Sequence, residues 1–537
     1  MNFRLFKHIL PATAVVLSAG LSSCVGDLDV TPIDPSTTME VNEPSLYTKC
    51  YATMALAGNT GANGDCDIDG LDGGTTGFVR QLWNANELTT DEAICAWGDP
   101  GIPQFNYNQW DSSHPMLQGF YYRLTTSISY CNLYLDQCAG VDKTREAEVR
   151  FLRALYYYFL MDCFGNVPFA TEVSLEAPQQ IMRADLFAWI ESEVKAVVGD
   201  MLPAAARTSS DLDYGRADQD AANLLLARMY LNAEVYTGTA HWADAKTYAE
   251  KVINGPHKLW TTGANGWSAY QMLFMGDNGE NGASQEALLP LLQDGVTTTS
   301  WGTSLFLMAS CWKDDMDTNG DYGTKENWAG NRARSQLIQK FFPNAKKDED
   351  VAYTLNDMPA AAGDDRALFY GIDRTLVVTN PSEFTSGISV GKFRNTYSTG
   401  AQGHNSQFID TDYFLMRAAE AYLIAAEAEL RADNALSDTG LGYINALRSR
   451  AHAKSVSKEE CTLDFILDER SRELYHEGFR RTDLIRYGYF TSGDINHLWD
   501  WKGGVQNGQG FEEYRNLFAI PSEDINANPN LKQNPGY

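Results

Sequence analysis

The chain has 537 residues, 44% of them hydrophobic, and its 42 basic and 70 acidic residues give a formal net charge of −28. That length allows a large buried core in two or three compact units. Because so acidic a surface repels phosphate backbones and anionic lipid headgroups, the composition argues against nucleic acid as a partner and favours an uncharged ligand.

The N-terminal segment, residues 1–23, has the pattern of a secretion signal. Arg4 and Lys7 precede an apolar run that is too short to span a bilayer, and a Leu-Ser-Ser tripeptide precedes Cys24. A cysteine at this place is similar to a bacterial lipobox, in which it is acylated and becomes the mature N-terminus; an ordinary signal peptide with a chance cysteine is the alternative. Acyl chains hold a protein at a membrane surface without a spanning helix. The polar, proline-containing stretch 24–44 then predicts an acylated linker.

Helical periodicity marks a first block, residues 45–254, which we predict to be a helical scaffold carrying some ligand-binding loops. The stretch 146–163 has two adjacent apolar stripes, and 218–253 has the pattern of a helix pair. In that pair, alanines at helical spacing accompany large aromatic residues, which is typical of tetratricopeptide hairpins.

Two further regions follow before an irregular tail, residues 491–537. Residues 255–410 are rich in Gly, Asn, Asp, Thr and Ser without sustained periodicity, which predicts a loop-rich insertion with short strands. Binding residues are often carried by such loops. Residues 411–490 predict C-terminal tetratricopeptide-like helices: an alanine-rich helix, then helices over 442–453 and 459–487.

The eight cysteines after Cys24 show no CxxC or CxxH grouping, so they predict no zinc site. Cys131 and Cys138 lie roughly 10 Å apart along a helix, which is too far for a disulfide bond. We therefore expect mostly free, buried thiols.

Three carboxylates, Glu469, Glu473 and Glu477, recur at every fourth position on one predicted helix face. Paired carboxylates would suit a glycoside hydrolase. Neighbouring arginines can neutralise them, however, and favour a structural role. Those arginines are Arg470, Arg472, Arg480, Arg481 and Arg486. Since the chain also has no GxSxG, HExxH or P-loop motif, we predict that it is not an enzyme.

One acidic stretch, residues 315–326, matches the twelve-residue calcium loop. Its predicted ligands are Asp315, Asp317, Asn319, the backbone carbonyl of Asp321 and the closing carboxylate of Glu326. A solvated acidic turn is the alternative, because no EF-hand helices flank the stretch. A structural Ca²⁺ here would stiffen the segment that carries Trp328, and no other cofactor is predicted.

Five separated motifs resemble those of the SusD/RagB lipoproteins of Gram-negative outer membranes. They are Glu148–Tyr157 with Phe164–Pro168, Phe414–Leu423, Asp468–Leu474, Glu477–Arg486, and the ending Ile520–Tyr537. The resemblance extends from the lipobox to the C-terminus. It implies a mainly α fold of four tetratricopeptide-like helix pairs with a loop-rich ligand-binding insertion. It also implies a lipid-anchored protein at the cell surface that covers a SusC-like TonB-dependent transporter in the outer membrane.

Further stretches are similar to the starch-binding founder of that family, among them Gly77–Arg80 and Gln293–Val296. The founder holds amylose against an arc of three aromatic rings beside an arginine. Carried over by position, the resemblance implies carbohydrate-binding roles for Trp97, Trp301, Trp328, Arg80 and Asp72. Two departures bear on specificity: Trp301 replaces a tyrosine, and the Asp99-Pro100 region lacks a sugar-contacting asparagine.

Sugar rings present a face of C–H bonds that packs on the face of an indole ring. The sequence therefore predicts a non-catalytic protein that captures starch or maltooligosaccharides, which are α-glucans, and delivers them to its transporter. Binding of dextran, a fructan or peptide cargo is the alternative, and glycoside hydrolysis is a further one. Packing of any of the three tryptophans in the core is the structural alternative to a ligand role.

Overall fold

The structure is a computed structural model that describes residues 41–64, 66–316 and 322–537. Cys24 and the predicted signal therefore lie outside the described residues, as do three predicted calcium ligands, Asp317, Asn319 and Asp321. The chain divides into residues 1–46 and 47–537, and all candidate site residues that are described belong to the second unit. Within the described part, no helix combines the length and apolar character needed to cross a bilayer. The domain boundaries at 254, 410 and 490 stay predictions.

The fold is mainly α-helical, as predicted. The helices are α1 (Glu43–Ala52), α2 (Phe78–Trp83), α3 (Ile102–Asn106), α4 (Pro115–Cys138), α5 (Lys143–Phe164), α6 (Arg183–Val197), α7 (Gln219–Leu231), α8 (Ala233–Thr237), α9 (Trp242–Asn254), α10 (Ala269–Met272), α11 (Ser304–Ala309), α12 (Ser335–Phe341), α13 (Met358–Ala362), α14 (Ala418–Asp433), α15 (Asp438–Arg450), α16 (Leu463–Leu474), α17 (Arg480–Arg486) and α18 (Ser522–Ala527). A π-helical turn covers Asn84–Leu88, and 3-10 turns cover Ala283–Glu286, Asp348–Val351, Ile495–His497, Lys502–Gly504 and Glu513–Asn516. The strands are β1 (Ala93–Cys95), β2 (Val167–Phe169), β3 (Gln179–Ile181), β4 (Ala287–Leu291), β5 (Asn331–Ala333), β6 (Phe369–Tyr370), β7 (Ile388–Val390) and β8 (Tyr413–Arg417).

The long helices pack against their neighbours in the chain: α4 on α5, α5 on α6, α7 on α9, and α14 on both α15 and α16. Helix α5 begins where the Asp142 side chain accepts the N–H groups of Thr144 and Arg145, and it ends at Gly165, whose φ is 72°. Both predicted apolar stripes of α5 are buried, because the helix packs between two others. The tetratricopeptide-like geometry of the pairs stays a prediction.

The predicted helix over 459–487 is wrong in one respect, because it is two helices. Helix α16 ends at Leu474 and α17 begins at Arg480. Between them His476 and Gly478 have positive φ values, 62° and 83°. The Glu87 carboxylate accepts the N–H of Gly478 (2.6 Å), a donor that a continuous helix would use internally. Glu477 therefore lies in this turn rather than on the helix face of Glu469 and Glu473.

The three carboxylates are buried and paired with basic groups. Glu473 accepts from Arg417 (2.6 Å), Arg366 (3.2 Å) and Arg450. Glu469 contacts Arg366 (2.8 Å), Arg448 (2.8 Å) and Arg472 (2.7 Å), and Glu477 contacts Lys392 (2.6 Å) and Arg417 (2.7 Å). Burial alone would raise the pKa of Glu469, but the charges of Arg366 and its other two arginines lower it to about 2.

Most of the arginines predicted to neutralise this series pair with other carboxylates. Arg472 is the one that contacts the series within the described residues. The others contact Asp483 (Arg470), Asp91 (Arg480), Asp162 (Arg481) and Glu427 (Arg486). The Arg470–Asp483 pair joins α16 to α17, while Asp91, Asp162 and Glu427 are distant in sequence, so the other three arginines connect α17 to the rest of the scaffold.

A four-stranded antiparallel sheet has the strand order β1-β5-β7-β6. It combines β1, from the first block, with three short strands of the loop-rich region 255–410. Phe369 and Ile388 of this sheet belong to one hydrophobic cluster with Leu337 and Ile338 of α12. Cys95 at the end of β1 pairs with Asn331 at the start of β5. The residues that follow β1 therefore meet those that precede β5 at one end of the sheet.

None of the eight cysteines in the described part of the chain forms a disulfide bond, and all but Cys66 are buried. This confirms the prediction of mostly free, buried thiols.

Candidate functional site

Trp97 lies at the end of the sheet where β1 and β5 meet. The Ala96 N–H donates to the Gly330 carbonyl (2.9 Å), and Trp97 Nε1 donates to the Ala329 carbonyl (3.0 Å). The indole packs so closely on Gly330 that a Cβ there would lie 2.4 Å from Trp97 Cε2. Glycine at position 330 therefore sets the position of a half-buried Trp97 ring.

Trp301 and Trp328 lie at opposite ends of the short helix α11. Trp301 precedes the helix, and the Trp328 N–H donates to the carbonyl of Ala309, the last residue of α11 (2.8 Å). The two ring centroids are 6.0 Å apart, with planes inclined by 49°. Ala329 then turns the chain into β5 with a φ of 47°, a left-handed conformation that costs a non-glycine residue about 1 kcal/mol.

A loop that the sequence did not single out supports both rings. The Phe408 ring centroid lies 4.8 Å from that of Trp301. Glu326 accepts from Trp328 Nε1 (2.6 Å) and from Gln407 Nε2 (2.8 Å), so one carboxylate joins the loop to the indole. The one sequence signal at Phe408 is weak: it is an aromatic residue in a polar, glycine-containing stretch.

Arg80 joins a fourth segment to the site. Its guanidinium carbon lies 5.7 Å from the Trp97 ring centroid and 5.1 Å from that of Phe306, and its backbone N–H donates to the Gly302 carbonyl (3.0 Å). Gly77 and Gly302 touch backbone to backbone, since a Cβ on Gly77 would lie 2.7 Å from Gly302 Cα. Among the described residues, the buried Arg80 Nε has no hydrogen-bond partner.

Asp72 is exposed and lies near Arg80. Its carboxylate accepts the N–H (2.9 Å) and the hydroxyl (2.6 Å) of Thr75. Partial burial raises the pKa of Asp72, but the Thr75 hydrogen bonds and the Arg80 charge outweigh it, so the net pKa is lowered. Burial lowers the pKa of Arg80, and the negative charges of Asp72 and Asp99 offset part of that shift. Asp72 is thus an ionised acceptor beside a guanidinium donor.

Asn63 is a second residue that the sequence did not single out. Its Oδ1 accepts from Trp301 Nε1 (3.2 Å), and the neighbouring Ala62 N–H donates to Thr299 Oγ1 (3.2 Å). The exposed loop around Asn63 therefore lies against the segment that leads into Trp301. No sequence pattern links these two stretches.

The described ends of the predicted calcium loop already have protein partners. Asp315 contacts Arg374 (2.7 Å) and Lys313 (3.2 Å), while both oxygens of Glu326 accept from Trp328 and Gln407 as above. An ion that closed on Glu326 would replace those two donors. Within the described residues, no group of three or more His, Cys, Asp or Glu side chains is placed to hold a metal ion.

The structure thus brings together all five predicted carbohydrate-binding residues. Three half-buried indoles, a guanidinium and an exposed carboxylate come from four separate segments and lie close together at the protein surface. Such a surface offers ring faces for apolar contact and charged groups for hydrogen bonding. We call the surface of Trp97, Trp301, Trp328 and Arg80 the aromatic platform.

The chain is similar to known proteins over its full length. Residues 225–537 match the profile of the SusD family, and residues 31–231 match a profile described as "Starch-binding associating with outer membrane". The "Starch-binding protein SusD" of Bacteroides thetaiotaomicron is 38% identical to this chain and covers 100% of both sequences. A "SusD-like protein" of Bacteroides ovatus is 24% identical, over 76% of this chain and 72% of its own.

Solved structures show the same fold at low identity. A SusD superfamily protein from Bacteroides thetaiotaomicron has a TM-score of 0.66 at 19% identity, with 92% of this chain and 99% of that one covered. A "Laminarin binding SusD-like protein" has a TM-score of 0.64 at 20% identity, with 93% and 99% covered. These matches confirm the predicted family and the SusD-like, mainly helical fold. The chain belongs to the SusD family.

Proposed function

We propose that this chain is a non-catalytic, lipid-anchored protein of the outer-membrane surface that captures α-glucan on the aromatic platform and delivers it to a SusC-like TonB-dependent transporter. The observation that carries the proposal is the clustering of Trp97, Trp301 and Trp328, which come from separate segments, beside Arg80. All three indoles are half-buried and lie on loop segments, which often carry binding residues.

The platform suits a neutral polysaccharide. The area that one sugar face buries on an indole is worth about 1–3 kcal/mol, so several rings are needed for useful affinity. Arg80 adds a guanidinium donor, and Asp72 adds an acceptor for hydroxyl groups. The strongly acidic surface disfavours an anionic glycan as well as nucleic acid.

The choice of α-glucan depends on the full-length relative that is named as starch-binding. By the family resemblance, Trp301 stands where the starch-binding founder has a tyrosine of the arc. The tryptophan keeps an aromatic face and enlarges it. Asn63 adds an amide at the edge of the Trp301 ring, which is a different position from that of the amide missing near Asp99 and Pro100. Both features support stacking of a glucan on the same face.

Affinity electrophoresis in starch tests the proposal. The native ectodomain should be retarded, and the triple variant Trp97→Ala/Trp301→Ala/Trp328→Ala should migrate as in a gel without polysaccharide while its circular dichroism stays unchanged. Parallel gels with dextran and a fructan identify the alternative glycans. If the triple variant is still retarded by starch, the platform is not the binding surface.

Three further experiments address anchoring, delivery and catalysis. Radiolabelled palmitate should enter the native protein and not the Cys24→Ala variant. A pull-down from native membranes should recover a large β-barrel transporter. Maltooligosaccharide should stay intact during long incubation, because the buried Glu469 and Glu473 are fully engaged by arginines; shortened products would support the hydrolase instead.

Calcium at residues 315–326 remains a separate proposal. Since Glu326 bonds directly to Trp328 Nε1, the described contacts position that ring without an ion. If Ca²⁺ does bind there, EGTA should weaken glycan binding measured by isothermal titration. Equal affinity with and without EGTA, together with no calcium in elemental analysis, would exclude the ion.

A further inference from the structure

A polar groove lies beside the aromatic platform. It encloses 260 Å³ between the segments 323–325 and 402–406. The side chains that line it carry hydroxyl, amide and ammonium groups, and neither an aromatic ring nor a carboxylate is among them. Such a lining binds hydroxyl groups through hydrogen bonds rather than through ring stacking.

The groove is continuous with the platform through both of its walls. Lys325 directly precedes Glu326, the residue that bonds to Trp328 Nε1. Ser406 lies two residues before Phe408, which packs on Trp301. Two residues of chain span at most about 7 Å, so both walls lie within that distance of residues that contact the rings.

The walls are held in place before any ligand arrives. The Lys325 N–H donates to the Ser406 carbonyl (2.8 Å), and Thr324 Oγ1 donates to the Gln407 carbonyl (2.8 Å). On the other wall, Asp410 accepts the His404 backbone N–H (2.9 Å) and contacts the His404 ring (3.0 Å). A preformed groove loses little conformational entropy on binding.

Two exposed side chains of the groove are free to bind. Among the described residues, neither the Lys325 ammonium nor the Gln402 amide has a hydrogen bond or an ion pair. Asn405 uses its Oδ1 for the N–H groups of Gln407 (2.8 Å) and Phe408 (3.3 Å). The groove therefore presents hydrogen-bond donors toward solvent beside a stacking surface.

We infer that this groove is an extension subsite, which binds the sugar residues of the same glucan chain that project beyond the aromatic platform. The inference rests on the proposed function. It gives the protein a preference for long chains over short ones, because a short oligosaccharide fills the platform alone. The ligand class is a neutral polysaccharide with free hydroxyl groups, which Lys325 and Gln402 contact as donors.

Isothermal titration with maltotriose and maltoheptaose tests the subsite. The native protein should bind maltoheptaose about tenfold more tightly. The Lys325→Ala/Gln402→Ala variant should lose most of that gain and keep its affinity for maltotriose, and Ser406→Arg, which fills the groove, should do the same. Lys347→Ala, an exposed lysine elsewhere, should behave as native, and thermal melting controls for folding.

The outcomes separate the two proposals. If the native protein binds neither oligosaccharide, the proposed function fails. If it binds both but the groove variants keep the full gain for maltoheptaose, the extension subsite is overturned and the platform stands. Equal losses for both oligosaccharides would also overturn the subsite, because they would place Lys325 and Gln402 at the platform itself.

Discussion

Trp301 and Trp328 are separated in sequence by helix α11 and the acidic loop, yet their ring centroids lie 6.0 Å apart. Helix α11 produces this proximity, since Trp301 leads into it and the Trp328 backbone bonds to its last carbonyl. The inclination of 49° between the planes suits a curved ligand better than a flat one. A helical glucan is such a ligand.

Replacing Trp301 with alanine should weaken α-glucan binding about 5- to 150-fold, because about 1–3 kcal/mol of ring contact is lost. Trp301→Tyr should lose much less, since it keeps an aromatic face. Isothermal titration with a maltooligosaccharide measures both effects. Trp242→Ala is the matched control: Trp242 is also half-buried, but it lies on α9, away from the platform. An Ala variant of Trp301 with native affinity would contradict the prediction.

Gly330→Ala should weaken glucan binding although it replaces no ligand-binding side chain. The added methyl would lie 2.4 Å from Trp97 Cε2, so the indole or the strand has to move. Gly98→Ala is the matched control, because a Cβ there, next to Trp97 in sequence, meets nothing within 4 Å. Titration and the near-ultraviolet circular dichroism of the tryptophans report on the two variants. Equal binding by both would show that the Trp97 position is unimportant.

Glu473→Gln should destabilise the protein by about 3–5 kcal/mol, because it removes the one buried negative charge that three buried arginines share. Glu473 is fully buried among Arg417, Arg450 and Arg366. Urea unfolding measures the change. The control is Asp438→Asn, which removes an exposed pair with Lys458 and should leave the midpoint unchanged. A similar midpoint for both variants would mean that the arginine cluster does not depend on Glu473.

Asp412 should make the protein less stable as pH rises from about 4 to 7. Burial is the main reason that the pKa of this carboxyl is raised from 3.8 to about 7. Hydrogen bonds from the Gln293 N–H and the Tyr214 hydroxyl lower the pKa, and the negative charges of Glu280 and Asp410 raise it. The folded protein thus keeps a proton that the unfolded chain has released. The contribution of this group is complete below the unfolded pKa and is lost as pH rises through the folded one.

The Asp412→Asn variant tests this dependence, since it removes the charge and keeps an acceptor for the Gln293 N–H. Urea titrations measure the free energy of unfolding of both proteins. The value for the variant minus the value for native protein should rise steadily between pH 4 and pH 7. Asp438→Asn serves again as control, because the pKa of Asp438 is lowered and no titration is expected in this window. A constant difference across the window would show that Asp412 is ionised throughout.

The helical scaffold could be predicted from periodicity where a helix buries a wide face, as α5 does. Helix α6 escaped prediction although Leu186, Ile190, Val194 and Val197 recur at helical spacing, so the signal was present. The break after α16 could not be predicted, because it depends on the Glu87 carboxylate, which comes from a distant part of the chain.

The candidate site was predictable only through the family resemblance. Its tryptophans have no periodic pattern, and the partners that support them, Asn63 and Phe408, are set by long-range contacts. The pairing of β1 with β5 explains why Trp97 meets the residue after Trp328. A two-residue register difference would separate them, and nothing local in the sequence specifies that register.

The contact between Gly77 and Gly302 has a consequence for protein engineering. A Cβ on Gly302 would lie 2.6 Å from the Gly74 carbonyl, so the stretch with Arg80 and the stretch with Trp301 fit together only as a matched pair. Transplanting either stretch alone into a related scaffold would bring a mismatched backbone surface with it. Chimeras designed to exchange sugar preference therefore have to move both stretches at once.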